Sequence, residues 1–172
     1  KVEPFFHDDT GTWSYVVNQD RDAVVIDPVL DYDPASGRIA TRSAQALLQY
    51  LRDNDLHTHR ILETHAHADH LSSAAVLRHQ IGAGIAIGAG IRGVQVHFAR
   101  LFGLDSNTPA LVDSFDSLLA DGEIVLAGAL RIEVIALPGH TADSLGYRIG
   151  GNVFIGDTLR ATIEKHRPDH IV

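Results

Sequence analysis

Two spacings of hydrophobic residues alternate along the chain, and they predict strands and helices in turn. β-branched and aromatic residues fill residues 13–18 and 23–26 on either side of a polar Q-D-R-D, which predicts a hairpin. Within residues 43–54, apolar side chains recur three and four positions apart, which is the spacing of one helix face. The same two patterns predict further helices at residues 71–80, 93–101 and 161–166, and further strands at residues 59–64, 85–87, 123–126, 130–136, 145–149, 153–155 and 170–172. Residues 31–42 are predicted as a polar loop, and the order of elements indicates a layered fold of sheets and helices.

One short segment stands apart because it is dense in side chains that bind metal ions. Residues 63–70 read E-T-H-A-H-A-D-H, directly after an apolar run. Imidazole and carboxylate groups together suit zinc, iron or manganese, and a cluster of this density is difficult to explain by packing. The predicted metal ligands of this segment are His65, His67, Asp69 and His70.

Two later loops place one metal-binding side chain each at the end of an apolar strand. The loop P-G-H-T contains His140, and the loop G-D-T contains Asp157. A rigid sheet can hold such loops in fixed geometry. Taken alone, His140 would be a hydrogen-bonded loop histidine and Asp157 a turn aspartate. In a chain that also carries the first cluster, we predict that both are metal ligands.

For two residues outside these motifs, a structural role explains the sequence at least as well as a functional role does. Asp27 follows the apolar strand at residues 23–26 and could either orient a metal ligand or serve in a turn or helix cap. Tyr147 alternates with apolar residues on a predicted strand, so we expect it to pack in the core.

Composition limits the classes of function that remain. The chain has 172 residues, 45% of them hydrophobic, and a formal net charge of -8. The acidic charge disfavours nucleic acid as a partner, because phosphate binding needs clustered Lys and Arg. No apolar run is long enough to span a bilayer, and cysteine is absent, which excludes disulfides and cysteine nucleophiles. We therefore expect a cytoplasmic protein without membrane partners.

The three motifs in this order, H-A-H-A-D-H, P-G-H-T and G-D-T, resemble the metallo-β-lactamase fold superfamily. The resemblance implies an α+β fold, a four-layer αββα sandwich with metal bound at the sheet edge, as a single domain over residues 1–172. It implies Asp69 as a catalytic side chain. The implied first metal site consists of His65, His67, His140 and Asp157. The implied second site consists of Asp69, His70, a bridging Asp157 and one further histidine.

Within the superfamily, T-H-A-H-A-D-H together with V-I-D-P-V is most similar to the branch of glyoxalase II and the persulfide dioxygenases. The leading prediction is a mononuclear Fe(II) enzyme that oxidises glutathione persulfide or a similar persulfide. The resemblance assigns its one iron to His65, His140 and Asp157, a set that leaves positions open for oxygen and a sulfur substrate. The expected partner is a small thiol or persulfide, and a homodimer is left open.

Two alternatives remain open at this point. The same residues filled with two zinc ions would form a hydrolase of the glyoxalase II type, acting on a thioester or ester. A non-catalytic metal-binding or thiol-binding module is the third option, because the last histidine of the family pattern is absent. That histidine would follow Val172, and His166 and His170 are predicted surface residues. We expect that an active-site loop after about residue 159 and a C-terminal segment are missing, which leaves the substrate-binding residues undefined.

Overall fold

A computed structural model describes residues 1–105, 107–158 and 170–171, and these residues group into two compact units. The first unit comprises Lys1–Glu63, His67–Ile85 and Leu126–Leu130; the second comprises Thr64–Ala66, Ala86–Val125 and the described residues of Arg131–Val172. The helix predicted at residues 161–166, with His166, lies outside the described residues. The single domain predicted over residues 1–172 stays a prediction.

The first unit combines a large sheet, a small sheet and two helices. Its elements are β1 (Val2–His7), β2 (Thr12–Gln19), β3 (Asp22–Ile26), β4 (Val29–Asp33), β5 (Arg38–Ala40), α1 (Arg42–Asp53), β6 (His57–Leu62), β7 (Leu71–Ser72) and α2 (Ala74–Ile81). The strands β1, β2 and β3 form an antiparallel meander, which confirms the predicted hairpin, and β6 continues the sheet parallel to β3. The small sheet has the order β5-β4-β7.

The parallel pairing of β3 with β6 positions the side chains that follow both strands. Ile26 lies opposite Leu62, so the carboxyl ends of the two strands meet at one edge of the sheet. Parallel neighbours need a crossover connection, and α1 lies within it. As a result, Asp27 and Glu63, the residues that follow the two adjacent strands, lie side by side. The backbone N–H of Asp27 donates to the carbonyl of Leu62 at 2.9 Å.

The helix α1 forms as its apolar spacing predicts, within one residue of the expected bounds. Its buried face consists of Ala44, Leu47, Leu48 and Leu51. Burying a leucine side chain stabilises a fold by roughly 1.5–3 kcal/mol, so this face fastens the helix to its unit. The carboxylate of Asp31 accepts hydrogen bonds from the backbone N–H and the hydroxyl of Ser43, and it thereby satisfies a donor at the helix start.

The second unit is built around strands that follow each other as hairpins. Its elements are α3 (Ile91–Phe102), α4 (Pro109–Val112), β9 (Ser117–Leu119), β12 (Leu145–Ile149), β13 (Asn152–Phe154) and β14 (His170–Ile171). Three strands, β8 (Gly84–Gly88), β10 (Ile124–Ala127) and β11 (Leu130–Ala136), have residues in both units. One sheet has the order β10-β11-β12-β13-β14, with β14 parallel to β13. Tyr147 is fully buried on β12, which confirms its predicted packing role.

The structure corrects two sequence predictions in the first unit. Residues 31–42 were expected to form a loop, but β4 and β5 pair there as a hairpin, with Tyr32 opposite Ile39. Residues 71–80 were expected to be helical throughout, but Leu71 and Ser72 form β7, which pairs with β4, and the helix begins at Ala74. The two errors have different causes. The β4–β5 hairpin forms from polar residues that are not typical of strands, whereas β7 is a strand because it pairs with β4, about forty positions earlier in the chain. Among the described residues, no helix combines the length and apolar character needed to cross a membrane.

Candidate metal centre

The E-T-H-A-H-A-D-H segment follows β6 directly and divides its histidines between the two units. His67, Asp69 and His70 belong to the first unit, where one ligand atom from each lies within 4.8 Å of the others. We call this group the first-unit cluster. The rings of His67 and His70 are 4.2 Å apart between centroids. The resemblance placed His67 with His65, and in the structure its ligand atom groups with Asp69 and His70 instead.

Two buried carboxylates orient the ring of His67. Its Nε2 lies 3.3 Å from Oε2 of Glu63 and 3.4 Å from Oδ1 of Asp27. Burial by itself would lower the pKa of His67, but hydrogen bonding to Asp27 and Glu63 and their charges raise it to about 10. The pKa of Glu63 is raised, chiefly by burial. Because the carboxylates hold Nε2–H, Nδ1 is the nitrogen that would bind a metal, with loss of its proton.

His70 provides the observation that best tests whether the first-unit cluster fits a metal ion. Its side chain is 2% exposed, and Nδ1 faces Oδ1 of Asp69 at 3.3 Å. Its Nε2 is buried and has no hydrogen-bond partner in the part of the chain that the structure describes. Burial and the charge of His67 lower the pKa of His70, which favours the neutral imidazole that metals bind. The donors of this cluster therefore fit a metal ion.

His65, His140 and Asp157 form a second cluster within the second unit, the second-unit cluster. Their ligand atoms lie within 4.8 Å of one another. Oδ2 of Asp157 is 3.8 Å from Nε2 of His65 and 3.5 Å from Nε2 of His140. The His65 ring is buried, whereas His140 and Asp157 are about half exposed. Two imidazoles and a carboxylate converging on one point fit Zn²⁺ or Fe²⁺.

Hydrogen bonds and a close glycine contact fix the orientation of His65. Oγ1 of Thr64 lies 2.9 Å from Nδ1 of His65, which directs Nε2 towards Asp157. Gly156 packs against Thr64 so closely that a Cβ there would overlap Oγ1 of Thr64 and come 3.2 Å from Nδ1 of His65. Gly156 also has a φ of +51°, a conformation that favours glycine. Glycine is thus required at this position of G-D-T for two reasons, because there is no space for a Cβ and because the backbone is in the left-handed region.

Comparison with known proteins decides the family. The family model described as the metallo-beta-lactamase superfamily matches residues 7–170. The chain belongs to the metallo-β-lactamase superfamily. This confirms the family and the fold class predicted from the sequence, a metallo-β-lactamase fold with mixed α/β structure and several sheets. Membership in this superfamily implies a site that depends on metal ions.

Individual relatives cover most of this chain. It is 39% identical to a "Beta-lactamase hydrolase-like protein" of Xylella fastidiosa, over 92% of this chain and 37% of the relative. It is 37% identical to "Glyoxylase B2" of Dictyostelium discoideum, over 92% of this chain and 55% of the relative. A crystal structure of ETHE1 from Myxococcus xanthus matches with a TM-score of 0.70 at 27% identity, covering 92% of this chain and 58% of that one. The chain thus spans between about a third and three fifths of the length of these proteins.

The sequence prediction names all six side chains of the two clusters, but of the residues that position them it misses Glu63, Thr64 and Gly156. Glu63 stands directly before the histidines in E-T-H, and Thr64 and Gly156 lie inside motifs that were recognised for their neighbours. The sequence leaves Asp27 open between an orienting role and a turn; in the structure its Oδ1 lies 3.4 Å from Nε2 of His67, and its backbone φ is +47°. A buried acidic residue next to a metal-binding motif is the signal that could have identified Glu63.

Proposed function

We propose that this chain is a metal-dependent hydrolase of the glyoxalase II type, which acts on a thioester or ester with two metal ions, zinc in the first instance. The supporting observation is that two of the three groups of possible ligands among the described residues share no side chain, namely the first-unit cluster and the second-unit cluster. The third group, Asp27, Glu63 and His67, shares His67 with the first-unit cluster. A mononuclear site would need only one such group. The names of the two relatives, "Beta-lactamase hydrolase-like protein" and "Glyoxylase B2", favour this function over persulfide oxidation, which is the leading prediction from the sequence.

Each cluster would hold one metal ion, and neighbouring residues position its histidines. His65, His140 and Asp157 would hold one ion, and His67, Asp69 and His70 the other. When bound, the metal supplies a water of lowered pKa and polarises the substrate carbonyl. Thr64 keeps the His65 ring in place, and Glu63 and Asp27 keep the His67 ring in place.

Asp69 is the side chain that we propose for proton transfer. Its side chain is 58% exposed, so solvent and substrate can reach it. Partial burial by itself would raise the pKa of Asp69. Hydrogen bonds from its own backbone and from His70 nevertheless keep this pKa below its usual value. It is therefore a carboxylate at neutral pH and can accept the proton of an attacking water at the oxygen that does not face His70.

Metal analysis coupled to two assays tests the proposal. The protein is loaded with zinc and, separately, with Fe(II), and metal content, thioester hydrolysis and oxygen uptake are measured. We expect two zinc ions per chain, hydrolysis of the thioester and no oxygen uptake. Metal binding without hydrolysis or oxygen uptake would contradict the proposal and support a non-catalytic binding module.

A mononuclear iron dioxygenase is the second candidate, and one observation favours it. The second-unit cluster has the composition of two histidines and one carboxylate, which is the ligand set of many Fe(II) oxygenases. The substrate would be glutathione persulfide or a similar persulfide. One iron per chain with oxygen uptake on that substrate, and no thioester hydrolysis, would replace the hydrolase with this function.

A further inference from the structure

A hydroxyl, an imidazole and a carboxylate stand in series in the first unit, in addition to the metal-binding clusters. Oγ1 of Thr10 lies 2.8 Å from Nδ1 of His7, and Nε2 of the same ring lies 3.6 Å from Oδ1 of Asp31. Thr10 lies in the turn between β1 and β2, His7 ends β1, and Asp31 lies on β4. In enzymes that form covalent intermediates, a base activates the hydroxyl nucleophile, and a third group orients the base. The three side chains have this order.

The environment of Asp31 determines which nitrogen of His7 faces Thr10 as an acceptor. His7 and Asp31 are buried, and Asp31 accepts hydrogen bonds from the backbone N–H and the hydroxyl of Ser43. Burial by itself would raise the pKa of Asp31, but these hydrogen bonds and the charge of Arg42 hold it below the ordinary value. Asp31 is therefore a carboxylate at neutral pH, which favours the proton of His7 on Nε2. Nδ1 then has a lone pair that accepts the hydroxyl proton of Thr10.

The turn that carries Thr10 is closed without the Thr10 side chain. The backbone N–H of Gly11 donates to the carbonyl of His7 at 2.9 Å, and β1 pairs with β2 from Val2 to His7. The contact between the Thr10 hydroxyl and the His7 ring is therefore additional to the bonds that form the turn. Thr10 itself is partly exposed, so its hydroxyl group lies next to a buried imidazole at the protein surface.

Thr10 lines a groove of about 860 Å³, a volume within the range of about 300–1,000 Å³ that is common for small-molecule sites. Tyr32 and Ile39, which are exposed cross-strand partners on β4 and β5, line the same groove and are suited to contact a carbon skeleton. Carboxylates outnumber guanidinium groups in the lining, with Asp9, Asp31, Asp33 and Asp69 against Arg38 and Arg42. The groove therefore favours a neutral ligand over an anionic one.

We propose that Thr10 is a nucleophile that takes the acyl group of a neutral thioester bound in this groove, with His7 as its base and Asp31 as the residue that positions His7. Oγ1 of Thr10 forms a bond to the acyl carbon, and the bond between that carbon and sulfur breaks. The hydroxyl proton passes to Nδ1 of His7 and from there to the leaving thiolate. The products are an ester of Thr10 and a thiol. This reaction needs no metal ion and does not depend on the proposed hydrolase function.

The reaction with S-phenyl thioacetate, a neutral thioester with a good leaving group, tests this inference. The protein is mixed with the thioester as prepared and again with a metal chelator present, and the reaction is stopped with acid at short times. Release of thiophenol is followed by absorbance, and the acetylated residue is located by peptide mass spectrometry. We expect a burst of about one thiophenol per chain and an acetyl group on Thr10, with and without the chelator.

Variants of the hydroxyl and of the imidazole separate their roles. Thr10→Val keeps the shape of the side chain but removes the hydroxyl, so the burst should disappear. Thr41→Val is the matched control, since Thr41 is also partly exposed but does not line the groove, and it should react as the parent protein does. His7→Ala should slow acetylation of Thr10 by at least about 100-fold, because a general base contributes about 10²–10⁴-fold to the rate.

Chemical rescue distinguishes a base from a residue that only supports the turn. Imidazole added to His7→Ala should restore part of the rate, because it can occupy the space of the lost ring and accept the proton. His7→Gln, with a polar side chain of similar size, takes the place of His7→Ala if the latter does not fold. Acetylation of Thr10 at the parent rate in the His7 variant, or a lost rate that imidazole does not restore, overturns the role of His7. The absence of a burst, or an acetyl group on other residues instead of Thr10, overturns the whole inference.

Discussion

Oε2 of Glu63 lies 3.3 Å from Nε2 of His67, four residues later, and both side chains are buried. Oδ1 of Asp27 approaches the same nitrogen from the end of the neighbouring strand β3. The hydroxyl of Ser72 donates to the other carboxylate oxygen of Glu63 and so keeps Glu63 in place. A carboxylate behind a histidine ligand fixes the ring and increases its basicity, which makes Glu63 a positioning residue of the first-unit cluster.

Glu63→Gln should therefore weaken metal binding at this cluster. Removing the charge behind a histidine ligand lowers metal affinity by about 10–100-fold. We expect a loss near about tenfold, because the glutamine side chain has the same shape as that of glutamate. Competition with a zinc chelator measures the affinity. Glu133→Gln is the control, since Glu133 pairs with Arg148 at 3.4 Å on the sheet of the second unit. Equal zinc affinities in the two variants would show that Glu63 does not act on the metal.

Gly156→Ala should lower the free energy of unfolding by more than the cost of placing alanine in a left-handed backbone conformation. Gly156 and Gly150 have φ values of +51° and +60°, but a Cβ on Gly150 meets nothing within 4 Å, whereas one on Gly156 overlaps Thr64. We expect a loss of about 1 kcal/mol for Gly150→Ala and about 2–4 kcal/mol for Gly156→Ala. Urea unfolding of both variants measures the difference. Similar losses would mean that Thr64 moves away without cost.

Single histidine replacements should remove one metal ion each if the chain is a two-metal hydrolase. His140→Ala breaks the second-unit cluster, and His70→Ala breaks the first-unit cluster. We expect each variant to retain one zinc ion and to lose hydrolytic activity by at least about 100-fold, because a metal contributes several kcal/mol to the barrier. His97→Ala, an exposed histidine on α3, is the control. Loss of all bound metal in His140→Ala alone would support the mononuclear site instead.

The pH dependence of stability should report the contacts of Asp31. Burial by itself would raise the pKa of Asp31, but hydrogen bonds from Ser43 and the charge of Arg42 hold it below the ordinary value of 3.8. A carboxyl whose pKa is lower in the folded state stabilises the fold above its unfolded pKa, and this stability is lost as the pH falls through the folded pKa. The stability difference between the protein and Asp31→Asn should therefore be constant above about pH 5 and shrink below the ordinary pKa.

That difference is measurable by urea unfolding at a series of pH values between about 2 and 7. Asp8→Asn is the comparison variant, because the Asp8 side chain is exposed and makes no hydrogen bond or ion pair with the described residues. A difference for Asp31→Asn that stays the same at every pH would show that the ionised form of Asp31 contributes nothing to stability.

Local patterns were sufficient for elements stabilised by their own residues or by near neighbours. The apolar face of α1 and the hairpin of β2 and β3 follow from spacing alone. The strand β4 does not, because its partners β5 and β7 include one that lies about forty positions later in the chain. The polar sequence D-Y-D-P-A-S-G-R resembles a loop, but residues 31–33 continue β4 beyond its pairing with β7 and pair with β5 across a short turn.

The amino-acid sequence is sufficient to identify the groups that can bind metal ions. His65, His67, Asp69, His70, His140 and Asp157 were identifiable because imidazole and carboxylate groups at this density have few other uses. Their role as ligands stays a prediction. Their grouping depends on the folded chain, which brings His67, Asp69 and His70 into one cluster and His65, His140 and Asp157 into another. The folded chain also decides that Glu63, Asp27, Thr64 and Gly156 support the rings, since those contacts depend on strand register and side-chain direction, and neither is encoded in the spacing of a motif.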